Sequence, residues 1–108
     1  MYAGRGVICM KSCEKFHPLK IETMSHNVQG FVFYLCRNYN RLGDDKRAVL
    51  DEHFAEVGKI NADALKRLMT TQDSIQAICL RYHIGSTTTL VRLRREFYRT
   101  FPVDRMMR

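Results

Sequence analysis

Residues 73–101 read DSIQAICLRYHIGSTTTLVRLRREFYRTF, and the folding of this stretch decides the reading of the whole chain. Ile75, Ile78, Cys79 and Tyr82 recur at i, i+3, i+4 and i+7, which places them on one face of a helix. Asp73 or Ser74 can cap its start, because a short oxygen-bearing side chain accepts a hydrogen bond from a free first-turn N–H. Ile84-Gly85-Ser86 interrupts the period: Gly85 supplies backbone freedom, and Ser86 or Thr87 can cap a second helix. In that helix Leu90, Leu93 and Phe97 line one face, while Arg92, Arg94, Arg95 and Arg99 come round the rest. Two helices, a Gly-containing turn and a cationic second helix make a candidate helix-turn-helix with residues 87–95 facing DNA. Compact units of this kind bury an apolar residue about five positions beyond the place that Ile84 holds. Here that position is Thr89 and Leu90 follows, so either the turn is one residue longer or the second helix is rotated.

The basic composition agrees with a nucleic-acid partner without requiring one. A chain of 108 residues with 45% hydrophobic content suffices for one globular domain with a modest core. Eighteen Lys and Arg against eleven Asp and Glu give a formal charge of +7, which favours polyanions but does not choose between DNA, RNA and an acidic membrane surface. The distribution says more. Six Arg lie between Thr87 and Arg108, with Arg81 just upstream, and only Glu96 and Asp104 oppose them.

Going outward toward the N-terminus, Asn61 or Asp63 opens a short helix to about Met69, with Leu65, Leu68 and Met69 turned inward. A helix from Asp44 or Asp45 to Val57 precedes it, and Gly58 suits the residue after its end. Leu50, Phe54 and Val57 form its buried stripe with help from Val49; Lys46, Arg47, Asp51 and Glu52 face water, and His53 reads as a partly buried structural residue. The first helix runs from Ser25 or Asn27 to about Tyr39 on Val28, Phe31, Val32 and Leu35, with Phe33, Tyr34 and Cys36 widening the apolar face. Residues 1–23 show little periodicity and read as a flexible arm, leaving 24–108 as a single helical DNA-binding domain. Phe101-Pro102 ends the last helix, and VDRMMR is a short cationic tail. The fold class is therefore all-α: a small five-helix domain with a C-terminal helix-turn-helix.

Enzymatic chemistry has little support. Phosphate-binding glycine loops, metalloprotease helices and nucleophile elbows are absent from the sequence. Cys79 and His83 stand at i, i+4, but a thiol on an apolar helix face is ordinarily inert. Cys9, Cys13 and His17 form a C-x3-C-x3-H series without the second close pair that a zinc finger needs, so no metal or other cofactor is expected. Cys36 and Cys79 read as small hydrophobes, no disulfide framework is evident, and a cytoplasmic location follows. The sequence has no apolar run of roughly 18 residues and no secretory signal, so neither a membrane nor a small-molecule substrate is expected as a partner.

Double-stranded DNA is the expected partner. Arg92, Arg94, Arg95 and Arg99 can neutralise phosphates, releasing counterions and making affinity fall with salt. Ser86, Thr87, Thr88 and Thr89 stand at the N-terminal end of the basic helix, where short side chains reach base edges or phosphate oxygens; Arg92 is the first candidate for a guanine contact. A single short recognition helix reads few base pairs, so a homo-oligomer is expected, with Phe31, Phe33 and Tyr34 of the first helix as its interface. The competing reading is a helical protein–protein module whose basic residues are a solvated face. It predicts arginines scattered round the last helix and partly bridged to the second, whereas DNA binding predicts one exposed face. Single-stranded RNA binding is a third reading and requires exposed aromatics beside the basic patch.

Residues 53–93 also resemble the PapB-type regulators of bacterial fimbrial operons. The likeness lies in His53-Phe54 with Gly58 and Ile60, then Ile78-Cys79-Leu80-Arg81-Tyr82, then Thr88-Thr89-Leu90-Val91-Arg92-Leu93. It covers under half of the chain and requires gaps. The resemblance implies an oligomerising transcriptional regulator of adhesin or related genes with a helix-turn-helix core.

Overall fold

The computed structural model describes residue 19 and residues 24–107, and among these there is no strand. Five helices follow in order: α1 (His26–Arg37), α2 (Asp44–Gly58), α3 (Ala62–Thr70), α4 (Ile75–Arg81) and α5 (Thr87–Arg99). A one-turn α6 (Val103–Met106) comes after Pro102, and single 3-10 turns stand at Tyr39–Arg41 and Lys59–Asn61.

Serine starts three of the helices. Ser25 Oγ accepts from the Val28 N–H at 3.2 Å, Ser74 Oγ from Ala77 at 3.1 Å, and Ser86 Oγ from Thr88 at 3.2 Å. Helix α2 departs from expectation, because Gly43 precedes it without a side-chain cap and Asp44 and Asp45 lie inside its first turn. Their charge still opposes the positive end of the helix, and Asp44 also pairs with Arg47. Gly58 is the last residue of α2 rather than the one beyond it. It is buried, and a Cβ there would stand 3.4 Å from Ala62 Cβ and 3.5 Å from Leu65 Cδ2, so its role is the close approach of α3.

The buried side chains form two groups. The larger joins Val32 and Cys36 of α1, Leu50 and Phe54 of α2, Leu65 and Met69 of α3, Phe97 and Tyr98 of α5, Phe101, and Met106 of α6. The smaller joins Ala64 and Leu68 of α3, Ile78 and Cys79 of α4, and Leu90 of α5; Ile75, Tyr82 and Ile84 pack against it, and Leu93 touches both groups. Helices α3 and α5 therefore run through both. The predicted inward stripes of α2, α3, α4 and α5 all fall in these groups. The tail is the exception to expectation: Met106 is buried, Lys46 Nζ donates to its carbonyl at 2.7 Å, and Arg105 meets Glu52 at 2.9 Å.

His53 lies deeper than predicted, at 4% exposure. Its Nε2 stands 2.9 Å from the Phe97 carbonyl and therefore donates to it, which ties α2 to α5. Cys36 is free and buried, and burial pushes its thiol up from 9.0 to about 12 against the opposing pull of Arg37. Burial, reinforced by Cys36, likewise raises the Tyr98 hydroxyl from 10.0 to about 12.

Leu19 is held by a buried amide. Gln29, with no exposed surface, accepts from the Leu19 N–H at 2.7 Å and donates from Nε2 to the Leu19 carbonyl at 2.9 Å. Residues 1–18 and 20–23, and with them the Cys9, Cys13 and His17 series, lie outside the described residues.

Candidate nucleic-acid interface

Residues 73–101 fold as α4, a non-helical link over 82–86, and α5. The link ends α4 in a way the sequence did not announce. His83, not Gly85, takes the left-handed backbone, with φ at 58°. The Ile84 N–H reaches the Cys79 carbonyl at 2.9 Å and the His83 N–H reaches Leu80 at 3.4 Å, the paired bonds of a Schellman motif. Ile84 then packs into the smaller core. Gly85 lies outside the left-handed region and has open space around it. Leu90 is fully buried while Thr89 is only partly so, as either a longer turn or a rotated second helix requires.

Of the residues singled out on α5, Thr88, Arg92, Arg95 and Arg99 recur at i, i+4, i+7 and i+11 and are all exposed. They form one stripe opposite Leu90, Leu93 and Phe97. Ser86 and Thr87 are exposed at its N-terminal end. Ser86 is committed locally: its hydroxyl caps Thr88, and its carbonyl lies 3.9 Å from Cys79 Sγ and 3.2 Å from the Thr89 N–H. The first-turn N–H groups of Thr88 and Thr89 are thus already bonded, which reduces what this helix end can offer a phosphate.

Arg94 does not join the stripe. It is partly buried on the α1 side, where its charge and that of Arg37 both act on Tyr98, and its Nε is buried without a hydrogen-bond acceptor among the described residues. Arg99 pairs with Glu96 one turn earlier, and this bond holds the Glu96 carboxyl below its ordinary range. Arg92 makes no ion pair or hydrogen bond among the described residues. The bridge from the C-terminal region to α2 is made by Arg105. The arginines of α5 are therefore three on one face and one on the flank, between the two patterns predicted from sequence. Arg81, exposed at the end of α4, adds a cation next to the link.

Charge follows the division of the fold. From Ala62 to Arg99 there are seven basic and three acidic residues, whereas His26 to Asn61 holds five of each. The residues that carry the PapB-type likeness are divided: His53, Phe54, Gly58, Ile78, Cys79 and Leu90 are buried, whereas Ile60, Leu80, Arg81, Thr88, Val91 and Arg92 are exposed. The α1 residues expected at an oligomer interface divide too, for Phe31 packs against the larger core while Tyr34 is 54% exposed.

Among the described residues no group of three His, Cys, Asp or Glu could hold a metal ion, and no helix is long and apolar enough to cross a membrane. No protein-family model matches the chain, and neither a curated protein nor a solved structure is significantly similar to it.

Proposed function

We propose that this chain binds double-stranded DNA through α5, with α4 and α5 acting as a helix-turn-helix, and regulates transcription. The observation that carries the reading is the exposed stripe Thr88, Arg92, Arg95 and Arg99 on a helix whose other face is fixed in two cores. Helix α3 packs behind the pair, so the stripe is presented on a supported element rather than a loose one. Three guanidinium groups spaced along one face suit a phosphate backbone, and Arg92, without a partner among the described residues, has the freedom to reach a guanine edge. Ser86 acts as the cap that positions this end, and Arg94 contributes charge from the flank.

The test is binding to random duplex DNA at two salt concentrations, with the Arg92→Ala/Arg95→Ala variant beside the wild type. Micromolar binding that weakens with salt is expected, and removing two phosphate contacts should lower the slope of log K against log salt by about two. A wild type that fails to bind at low salt, or a variant with an unchanged slope, overturns the reading. In that event the protein–protein module takes its place, a reading favoured by the Arg99–Glu96 pair and the sideways Arg94.

A homo-oligomer joined through α1 belongs to the same proposal, because one recognition helix reads too few base pairs alone. The free, buried Cys36 and Cys79 fit a reducing, cytoplasmic setting. The PapB-type likeness makes the narrower reading a regulator of adhesin or related genes. Mass in solution decides the oligomer: a monomer at high protein concentration removes α1 as an interface.

A further inference from the structure

One apolar side chain on α5 is not accounted for by packing. Among the described residues, the exposed large hydrophobic ones are Tyr34 on α1, Ile60 in the second 3-10 turn, Leu80 on α4, Val91 on α5, and Met107 after α6. Val91 is 39% exposed and belongs to neither core. An isolated surface valine is ordinary. What marks this one is its company, because Thr88, Arg92 and Arg95 surround it on the helix that carries the basic stripe.

Thr88, Val91, Arg92 and Arg95 stand at i, i+3, i+4 and i+7, and all four are exposed. That spacing puts them on one face over two turns. The recognition helix of one major-groove class of DNA-binding domain presents its base-reading side chains at the same spacing. The rise from Thr88 to Arg95 is about 10 Å, or about three base pairs. Val91 is β-branched, so in a helix its χ1 is held mainly to one rotamer and its two methyl groups point in a fixed direction. Little side-chain entropy is then lost when an apolar group packs on it.

We infer that Val91 is a specificity residue that packs on the 5-methyl group of a thymine in the major groove; the inference rests on the DNA-binding reading of α5. The thymine methyl is the apolar group that base pairs display there, among ring nitrogens, carbonyl oxygens and amino groups that accept or donate hydrogen bonds. Valine over a methyl group removes apolar surface of both from water. Valine over the amino group of cytosine or adenine covers a donor that it cannot satisfy. Thr88 and Arg92 have the hydrogen-bonding groups for the polar edges nearby. Apolar patches that dock proteins run to hundreds of Å², and one valine bracketed by a threonine and two arginines is not such a patch.

The experiment uses the full chain. Duplexes are selected from a random-sequence pool, and the enriched duplex is remade with deoxyuridine in place of each thymine in turn, which removes only the methyl group. For the wild type, one such replacement should weaken binding about fourfold, the worth of one buried methyl group. Val91→Ala should bind the thymine and deoxyuridine forms equally. Arg92→Ala should weaken both forms and keep the ratio between them. Val91→Ala places a strong helix former at an exposed position, so circular dichroism should be unchanged. Duplex binding with no sequence enriched, no effect at any thymine, or a methyl effect that survives in Val91→Ala overturns the Val91 assignment and leaves the α5 reading standing. A chain that binds no duplex at low salt overturns both, so the two failures are told apart.

Discussion

The two cores differ in the material they are made of. Around α1, α2 and α6 the interior is aromatic: Phe54 stacks on Phe97 at 4.7 Å, His53 meets Phe97 at 4.6 Å, and Phe101 stands 5.6 Å from Phe97. Around α3 and α4 the interior is small and aliphatic, with Ala64, Leu68, Ile78, Cys79 and Leu90. The surfaces differ in parallel, balanced in charge over the first region and basic over the second. Helix α5 belongs to both: its C-terminal half is anchored among rings, and the half that carries Thr88 and Arg92 rests on the smaller group. Anchorage and presentation are thus handled at opposite ends of one helix. Free energies of local opening differ across a structure according to buried apolar contact, so the presenting end should open first.

The largest expected effect tests that gradient directly. Phe97→Ala removes the ring shared by His53, Phe54, Tyr98 and Phe101 and should cost about 3–5 kcal/mol in urea unfolding, with protection of every helix reduced. Ile78→Ala falls toward the low end of about 2–5 kcal/mol, with the loss of amide protection concentrated in α4 and the start of α5. Equal costs with uniform loss of protection would make the two cores one cooperative unit and end the comparison.

A second effect belongs to the larger core alone. Cys36 and Tyr98 have folded values near 12 against ordinary values of 9.0 and 10.0. The unfolded chain therefore loses these protons first as pH rises. Their contribution is intact below pH 9 and is lost progressively between about pH 9 and 12, with each group's slope approaching about 1.4 kcal/mol per pH unit. Cys36→Ala should flatten the fall between about pH 9 and 10, where the thiol titrates first. Identical alkaline profiles for the two proteins would show that the thiol is not shielded in the folded state.

The smallest expected effect lies in the link. His83 holds a left-handed backbone, which costs a side-chain-bearing residue about 1–2 kcal/mol, while glycine's extra unfolded-state freedom returns about 0.5–1 kcal/mol of that. His83→Gly should therefore raise stability by about 0.5 kcal/mol, seen as a small rise in the urea midpoint. A fall would indicate that the imidazole makes a compensating contact.

Periodicity made most of the fold legible. The stripes of α2 to α5 and the serines before α1, α4 and α5 could be read because spacing and capping chemistry are local properties. What could not be read was set by tertiary contact. Gly58 looked like a helix stop because its close approach to Ala62 and Leu65 depends on where α3 packs. The Schellman end fell on His83, two residues before the glycine that sequence logic preferred. Arg94 was placed with the other arginines that come round α5, and its partial burial beside Tyr98 depends on tertiary contact. Of the candidate site, the stripe Thr88, Arg92, Arg95 and Arg99 was visible in the spacing.

The grip of Gln29 on Leu19 carries an evolutionary consequence. A side-chain amide that bonds both the N–H and the carbonyl of one residue reads main chain, which is the same at every position. Drift at position 19 should meet only the mild demand that the side chain stay apolar, because Leu19 also leans on the larger core. Drift at position 29 meets a stricter one, since even glutamate would replace a donor with a repelling oxygen. Two residues joined by a single contact are thus expected to diverge at very different rates, a contrast that a saturation library scored for folding would expose.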